Sequence, residues 1–349
     1  MQAELLRPSD ARWHQFLAGT PHDFYHLPAY VALCARQEGG QPAAFWAREG
    51  DATLLAPLLL RQLPAGLGAG PGLLDATAPY GYPAPLLQGP GGAERMVPFL
   101  EAFQEVGAAA GIVSAFFRGH PLLPLPGAPL ERFGTVREHG ETVYVDLSLP
   151  ETELARQTRV NHRSDVRRLL AEGYRVQVDA WERLEDFQRI YQETMEFHTA
   201  SEFYFFNAGY FQALRECLGE QLHLCVVEAP QGEAAAVGLF TCVDGLVQFH
   251  LSGTTQAYRR VGPTKLMLIH MRDWAKARGE RFLHLGGGVG CQADSLAFFK
   301  AGFSKLRSTF RTFRMILQPG IYAQLVQRRR SATPEPGADG DFFPAYRRP

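Results

Sequence analysis

The 349-residue sequence has few cysteines and no recognisable cysteine motif. It contains five, an odd number, and none forms a C-x-x-C pair, which argues against a disulfide framework and against a zinc site. The H-E-x-x-H, G-x-S-x-G and P-loop motifs are also missing, so metal, serine-triad and nucleotide-hydrolysis mechanisms have no support. We predict no metal site. Cys291 beside a glycine run is a candidate nucleophile, but no sequence signature accompanies it.

Excess charge and long apolar runs are absent too. The net charge is -1 and the isoelectric point is near 6.8, so any site for a polyanion must be a local patch. No apolar run approaches the roughly 20 residues that span a bilayer, and the N-terminus has no signal-peptide pattern. We expect a cytoplasmic protein, although its substrate can still sit on a membrane.

The two halves of the chain follow one order of elements. In the first half we predict strands at 43–47 and 53–61, a helix at 94–109, and strands at 112–117 and 142–147. In the second half we predict strands at 222–228, 235–242 and 246–251, a helix at 264–278, and strands at 281–285 and 308–317. The helices and later strands are displaced by about 170 residues, which indicates an internal repeat.

This repeat predicts an α/β (α+β) protein with two tandem units, each a mixed, mostly antiparallel sheet flanked by helices. We place the first domain at 1–150 and the second at 151–327. Residues 328–349 are rich in proline, glycine and charge and are predicted to be a mobile tail.

The element order of each unit is typical of GNAT acyltransferases, which bind a pyrophosphate at a helix N-terminus. The loop at 259–264, RRVGPT, resembles their Q/R-x-x-G-x-G/A pattern, which makes Arg260, Gly262 and Thr264 candidate contacts for acetyl-CoA. Pro263, however, removes an amide donor, and only one of the expected glycines is present. The alternative is a basic loop with Thr264 as a helix cap.

Residues 150–173 are predicted to form an arginine-rich helix. Four arginines recur at spacings of three or four, which places them on one helical face: Arg156, Arg159, Arg163 and Arg167. Guanidinium groups bind phosphate oxygens in pairs, so we predict that the last three contact a phosphate or pyrophosphate. The alternative is a solvated face paired with Asp165 and Glu172.

A triple glycine, Gly286, Gly287 and Gly288, lies between a short apolar strand and an amphipathic helix. Such a run is costly without a geometric reason, and we predict that it lets the chain pass close to a substrate. On the following helix, Lys300 could lie along phenylalanine rings with its ammonium facing an anion. Asp294 is a candidate catalytic residue or, alternatively, the N-cap of that helix.

Two pairs of further residues complete the candidate site. His250 and Tyr258 flank the end of a central strand and are candidates for proton transfer, with a purely structural role as the alternative. Tyr80 and Tyr82 in the segment PYGYPAP could stack on a sugar or base, or could pack into the first core.

Four segments resemble the Fem family of non-ribosomal peptidyltransferases, which have two GNAT-like halves: DATAPYGYPAP, YQETMEFHTASEFYFFNAGYF, LHLGGG and DSLAFFKAGFSK. The resemblance runs from about His22 to Leu317. It implies transfer of an amino acid from aminoacyl-tRNA to an amino group of a peptidoglycan precursor, a UDP-linked or lipid-linked muropeptide. This reaction builds an interpeptide bridge. The coiled-coil arm of some members is missing.

Two other functions stay open. One is an acetyl-CoA-dependent N-acetyltransferase acting on a sugar amine or peptide; the other is a catalytically silent module that binds an envelope precursor. If the protein transfers an amino acid from aminoacyl-tRNA, no cofactor is expected beyond the tRNA co-substrate. Contact with a membrane would come through a lipid-linked substrate. Candidate tRNA contacts are Lys300, Lys305, Arg307, Arg311 and Arg314. The alternation of Arg307, Arg311 and other strand residues could equally be a solvated sheet face.

Overall fold

The computed structural model describes residues 1–68, 70–90, 93–123, 127–332 and 342–348. The strands are β1 (Gln2–Leu6), β2 (Gln41–Glu49), β3 (Ala52–Gln62), β4 (Leu74–Thr77), β5 (Leu86–Gln88), β6 (Ile112–Arg118), β7 (Thr135–Asp146), β8 (Arg175–Val178), β9 (Leu222–Glu228), β10 (Ala234–Val243), β11 (Leu246–Thr254), β12 (Phe282–Gly286) and β13 (Leu306–Ile316).

The helices are α1 (Ala11–Ala18), α2 (Pro28–Glu38), α3 (Met96–Ala109), α4 (Gly127–Glu131), α5 (Glu151–Gln157), α6 (Val160–Ala171), α7 (Leu184–Phe197), α8 (Ala208–Leu218), α9 (Thr264–Ala277), α10 (Ser295–Lys300) and α11 (Pro319–Ala332). Sheets and helices together confirm the predicted α/β class. Across the described ranges, no helix has both the length and the apolar character that crossing a bilayer requires.

The chain forms two compact units, and each contains a mixed sheet. The first unit comprises Met1–Glu138 and Phe310–Pro349, and the second comprises His139–Thr309. This division differs from the predicted one, in which the first domain ended at residue 150 and the second at residue 327. Residues 139–150 belong to the second unit, and the chain returns to the first unit after residue 309.

In the first unit the strands follow the order β1-β2-β3-β4-β6-β13, with β5 paired to β3. Neighbours are antiparallel except β4 and β6, where Leu74 lies opposite Ile112 in a parallel pair. Parallel neighbours need a crossover connection, and the segment between them contains α3. The core under α3 is aromatic and includes Phe45, Phe99, Phe103, Phe117 and Phe313.

In the second unit the order is β7-β12-β11-β10-β9-β8. Here β11 and β12 are the parallel pair, and α9 is in the connection between them. Their pairing covers only Leu246 to Gln248 opposite Phe282 to His284, although β11 continues to Thr254. The core on the α9 side includes Val143, Phe240, Val247, Met267, Met271 and Leu283.

The two units therefore share an antiparallel hairpin followed by a strand, a helix and a parallel strand, as the repeat predicts. Each copy, however, gives its last strand to the other unit. The strand predicted at 142–147 pairs with β12, where Val145 lies opposite Leu283. The strand predicted at 308–317 pairs with β6, where Phe313 lies opposite Phe117. Alternating apolar residues identify a strand but do not identify its partner, so the sequence alone placed both strands in the wrong unit.

The arginine-rich connector is two helices rather than one. The chain is extended at Thr158 and Arg159, with ψ of 129° and 144°, between α5 and α6. Thr158 Oγ1 donates to Leu154 O at 2.9 Å, and the amide of Arg159 donates to Gly302 O at 2.8 Å. The Arg159 amide thus bonds outside the helix, and Arg156 does not share a helix with Arg163, contrary to the prediction of one arginine face.

The C-terminal residues that the structure describes are anchored to the first unit. Tyr346 is only 1% exposed; its hydroxyl lies 2.8 Å from Ser114 Oγ and donates to Asp75 Oδ2 at 3.3 Å. Arg347 forms an ion pair with the same carboxylate. The prediction of a mobile tail is therefore wrong for residues 328–332, which continue α11, and for 342–348. The rest of that prediction, residues 333–341 and 349, lies outside the described residues.

Replacement of Tyr346 by alanine is expected to lower the free energy of unfolding by about 3–5 kcal/mol, as for other large buried aromatic side chains. Tyr346→Phe, which removes only the hydroxyl, is expected to cost about 1 kcal/mol. Urea unfolding measures both values. Phe342→Ala is the matched control because that side chain is 46% exposed, and an equal loss in the control would contradict the anchoring role.

Candidate functional site

The glycine turn after β12 has a geometric reason for each of its three glycines. A Cβ on Gly287 would lie only 2.9 Å from Glu141 O. Gly286 has a φ of +74°, in the left-handed region that glycine adopts without strain, and it follows a register shift between β12 and β7. A Cβ on Gly288 would overlap Asp294 Oδ1 and Gln292 O. The turn is therefore packed tightly against the start of α10.

Asp294 is the N-cap of α10. Its Oδ1 accepts from the amide of Ala297 at 2.8 Å, and its Oδ2 accepts from the amide of Val289 at 2.8 Å. Burial raises the pKa of Asp294, but the backbone hydrogen bonds outweigh that effect and the net pKa is lowered. The carboxylate is thus engaged by the turn and the helix, which favours the capping alternative over acid–base catalysis.

Lys300 lies at the end of α10 and only 9% of it is exposed. Its Nζ donates to Gly287 O at 2.7 Å, so the ammonium ties the last turn of the helix to the glycine turn. Burial lowers the pKa of Lys300 to about 8, against the opposing effects of Cys291 and Asp294. The group is mostly charged at neutral pH, and an ammonium has three N–H donors, of which one serves Gly287.

Arg159, Arg163 and Arg167 lie along the start of α6. Within the described residues none of the three forms an ion pair with a carboxylate. The nearby acids have other partners: Asp165 pairs with Lys265, and Glu172 with Arg168. The alternative of an arginine face neutralised by Asp165 and Glu172 therefore does not hold for these three side chains.

The positions of these arginines differ in exposure. The guanidinium of Arg159 lies 3.8 Å above the ring of Phe298 on α10, a cation–π contact. Arg163 is partly buried, and its Nε has no hydrogen-bond partner among the described residues. Arg167 is exposed. Two of the predicted phosphate contacts thus lie on α6 one turn apart, beside an arginine that contacts α10.

His162 is a residue of this site that the sequence reasoning missed. Its ring is 3% exposed and lies 4.7 Å from the ring of Phe303 and 5.6 Å from that of Phe299. Burial, with Lys265 and Arg159 nearby, lowers the pKa of His162 to about 4, so the imidazole is neutral at pH 7. It packs α6 against α10 without adding charge. A lone histidine between arginines offers no sequence signal for that role.

The loop before α9, the candidate acetyl-CoA site, uses its amides internally. The amides of Val261 and Gly262 donate to Tyr258 O at 3.0 and 3.2 Å, and the amide of Lys265 donates to Gly262 O at 3.1 Å. Pro263 has no amide hydrogen. An amide that already donates to a carbonyl oxygen does not face an anion, so Gly262, one of the predicted pyrophosphate contacts, does not offer its amide.

The three candidate cofactor contacts in this loop have separate surroundings. Arg260 is exposed, and Gly262 has a φ of +75°. Thr264 Oγ1 lies 2.8 Å from Thr254 Oγ1, which joins α9 to the end of β11. Thr264 is the first residue of α9 rather than its cap, because Pro263 occupies the cap position and no side chain caps the helix.

His250 and Tyr258 are poorly suited to proton transfer. Burial lowers the pKa of His250 to about 3, which makes its imidazole a weak base at neutral pH. Burial, followed by the charge of Glu233, raises the pKa of Tyr258, whose hydroxyl donates to Glu233 Oε2 at 3.4 Å. Their assignment as catalytic residues remains a prediction without geometric support.

Tyr80 and Tyr82 belong to the first unit. Tyr80 O accepts from the hydroxyl of Tyr30 at 3.2 Å, and the ring of Tyr82 meets that of Tyr25 edge to face at 5.6 Å. Tyr82 also meets Phe310 edge to face at 5.3 Å. Both tyrosines are partly buried in an aromatic cluster, so the packing alternative describes them well. Substrate stacking by either ring stays a prediction.

The basic residues near β13 are divided between the two units. Arg307 donates to Ser304 O and Leu306 O, and Arg311 pairs with Glu138 at 2.7 Å. Lys305 and Arg307 lie in the second unit, and Arg311 and Arg314 in the first. The described residues contain no group of His, Cys, Asp and Glu side chains arranged to hold a metal ion.

Comparison with known proteins identifies the second half of the chain. Residues 156–293 match the family model described as an acetyltransferase (GNAT) domain. No curated protein matches the sequence. Among solved structures, FemX matches with a TM-score of 0.71 at 14% sequence identity, over 93% of this chain and 99% of the FemX chain.

Two other solved structures are similar at lower scores. L-PGS from Bacillus licheniformis matches with a TM-score of 0.56 at 17% identity, over 88% of this chain and 92% of that one. The C-terminal domain of a putative lysylphosphatidylglycerol synthetase from Agrobacterium fabrum also has a TM-score of 0.56, at 15% identity, over 92% of this chain and 95% of that one.

The family model and the fold shared with FemX confirm the resemblance found in the sequence motifs. They also confirm the prediction of a GNAT-type acyltransferase. The matched segment begins with the arginines of α5 and α6 and ends next to Asp294.

Substitution of Asp294 tests the capping geometry. Asparagine can accept one of the two amide hydrogen bonds, so Asp294→Asn is expected to lower the free energy of unfolding by about 1 kcal/mol and Asp294→Ala by about 2 kcal/mol. Urea unfolding measures both. Asp273→Ala is the control, because that carboxylate is exposed and pairs only with its neighbour Arg272. Variants at position 294 that unfold like the wild type would refute the cap.

Proposed function

We propose that this protein transfers an aminoacyl group from aminoacyl-tRNA to an amine of a cell-envelope precursor. The observation that carries the proposal is that Arg159, at the N-cap of α6, and Arg163 and Arg167 on α6 have no carboxylate partner among the described residues. Lys300 on α10 adds a buried ammonium. The resemblance to the Fem family supplies the reaction, and a fold shared with a putative lysylphosphatidylglycerol synthetase supports an aminoacyl donor.

Phosphate recognition is the first requirement, because both substrates are polyanions. In the proposed arrangement, Arg163 and Arg167 bind the pyrophosphate of the precursor, and Arg159 borders the same site from its contact with Phe298. A chain with a net charge of -1 attracts a polyanion only through a local excess of positive charge. The three arginines provide that excess because none of them is paired with a carboxylate in the part of the chain that the structure describes.

The chemistry itself is aminolysis of an ester. The nitrogen of the acceptor amine attacks the ester carbonyl, a C–N bond forms, and the C–O bond to the tRNA ribose breaks. The amine loses one proton, and the departing ribose oxygen gains one. Lys300 is the proposed positive charge near the developing oxyanion, where a positioned cation stabilises the transition state. No covalent enzyme intermediate is required.

The acetyl-CoA alternative has less support. Its pyrophosphate would need the loop before α9, where the amides of Val261, Gly262 and Lys265 already bind carbonyl oxygens of the same loop. The residue at the helix start is Pro263, which has no amide hydrogen. A silent binding module is the remaining alternative, and only an activity measurement separates it from an enzyme.

The decisive experiment supplies radiolabelled amino acids on charged tRNA together with a UDP-linked or lipid-linked muropeptide. We expect label to appear in the muropeptide with at least one charged tRNA. Calorimetric titration with acetyl-CoA is run alongside and is expected to give no binding heat. Clear turnover of acetyl-CoA without any transfer from tRNA would overturn the proposal, and muropeptide binding without turnover of either donor would favour the silent module.

Arg163 is expected to hold the precursor through charge-assisted hydrogen bonds. Arg163→Gln should therefore reduce kcat/KM for the precursor by roughly 10- to 100-fold, mainly through KM. Arg156→Gln is the matched control, because Arg156 is paired with Glu153 on the preceding helix and is expected to change kcat/KM less than about 2-fold. Equal effects of the two substitutions would place the precursor elsewhere.

We expect kcat to fall at high pH because of the titration of Lys300, which gives the pH profile a descending limb. Its pKa is about 8, so the ammonium loses its proton and charge as the pH rises through this value, and kcat is expected to fall. Lys300→Arg keeps the charge over the same range and should move the limb upward by more than about one pH unit. An unchanged limb in Lys300→Arg would show that another group titrates there.

A further inference from the structure

Exposed apolar side chains concentrate where the glycine turn, α10 and the start of α6 meet. Ten large hydrophobic side chains are exposed in the described residues, and four of them lie at this junction. We call these four the apolar patch: Val160 (68% exposed), Val289 (73%), Leu296 (39%) and Phe298 (68%). Scattered exposed leucines and valines are ordinary, but a cluster on one surface indicates a binding partner.

Contacts within the second unit hold the patch together. The guanidinium of Arg159, next to Val160 in the chain, lies 3.8 Å above the Phe298 ring. The Arg159 amide donates to Gly302 O at 2.8 Å, which joins the start of α6 to the segment after α10. The Val289 amide donates to Asp294 Oδ2 at 2.8 Å, which joins the turn to the N-terminus of α10. These contacts therefore join the segments that carry the four side chains.

Positive charge borders the same surface. Residues 156–175 contain six arginines and two acids; Asp165 pairs with Lys265 and Arg168, and Glu172 pairs with Arg168. Arg159, Arg163 and Arg167 remain without carboxylate partners among the described residues. A basic rim around exposed valine, leucine and phenylalanine is the composition of surfaces that lie in the headgroup region of anionic bilayers.

We propose that the apolar patch docks the protein on an anionic phospholipid bilayer, with Val289 and Phe298 entering the headgroup and acyl boundary and the arginines facing lipid phosphates. Nucleic acid fits the surface less well. Arginine and one aromatic ring suit phosphates and bases, but Val160, Val289 and Leu296 offer no planar face for stacking. The aliphatic side chains gain free energy only when they leave water for an apolar phase.

This inference rests on the proposed function in one respect, since a lipid-linked acceptor presents its pyrophosphate at the bilayer surface. Docking through the apolar patch would then bring Arg163 and Arg167 to the level of that pyrophosphate in the headgroup region of the bilayer. The binding itself needs neither the precursor nor tRNA, so it can be measured apart from catalysis.

The experiment is co-sedimentation of the full-length protein with vesicles of phosphatidylcholine, with and without phosphatidylglycerol. We expect binding to the phosphatidylglycerol vesicles that weakens with added salt, and much weaker binding to pure phosphatidylcholine. Val289→Ser/Phe298→Ser should weaken binding to the anionic vesicles by about tenfold or more. Val160→Ser is a second variant with a smaller expected loss. All three side chains are mostly exposed, so circular dichroism and the thermal midpoint should be unchanged.

Leu170→Ser is the matched control, because Leu170 is 55% exposed but lies ten residues from Val160 on α6, about 15 Å along the helix axis. It should bind vesicles like the wild type. Failure of the wild type to bind anionic vesicles, or wild-type binding by Val289→Ser/Phe298→Ser, would overturn the proposal. Two further results would also overturn it. In the first, Val289→Ser/Phe298→Ser loses binding to bulk tRNA while its vesicle binding is unchanged. In the second, the wild-type protein is a dimer and the double substitution converts it to a monomer.

Vesicle binding and transfer can fail independently. Transfer to a UDP-linked acceptor in solution reports the proposed reaction without a membrane. Its absence in a protein that still binds anionic vesicles would reject the proposed function and leave the docking surface standing. Transfer in solution without any vesicle binding would do the opposite.

Discussion

The candidate site depends on one buried ammonium group. Burial disfavours the charge of Lys300, and its bond to Gly287 O replaces part of the hydration that the ammonium gives up. The glycine turn cannot move away without leaving that charge unsatisfied. Asp294 joins the same turn to the other end of α10, where it accepts hydrogen bonds from amides of both the turn and the helix. Together these bonds determine where α10 points, and with it Phe298 and the Arg159 guanidinium above its ring.

The positive charge of the site results from the way ion pairs are distributed between two helices. Asp165 pairs with Lys265 of α9 and with Arg168 of its own helix. Glu172 is also bound by Arg168, which donates to Val261 O as well. The two acids are thereby removed from Arg163 and Arg167. Exposed ion pairs of this kind contribute little to stability, so their effect here is to decide which cations remain available for an anionic ligand.

Some elements of the fold and the site could be predicted from the sequence, and others could not. The helix at Met96–Ala109, the helix at Thr264–Ala277 and the strands after them were predicted within a few residues, because each is a regular apolar pattern bounded by clear breaks. The cap at Asp294 followed from its residue type. The break at Thr158 did not, because the extended backbone is held by Gly302 O, almost 150 residues away in the chain. Tyr346 was assigned to a mobile tail because composition does not reveal a distant Ser114 or Asp75.

The amino-acid sequence by itself determined the elements of the repeat, the family resemblance and most of the residues from which the site is built. Periodicity, caps and turn glycines are local properties, and local interactions set them. Only the tertiary structure decided that the two copies exchange their last strands and that three of the arginines have no acid partner among the described residues. Each of these outcomes is a choice among partners distant in the chain, and strand pairing and ion pairing depend on which groups meet in space.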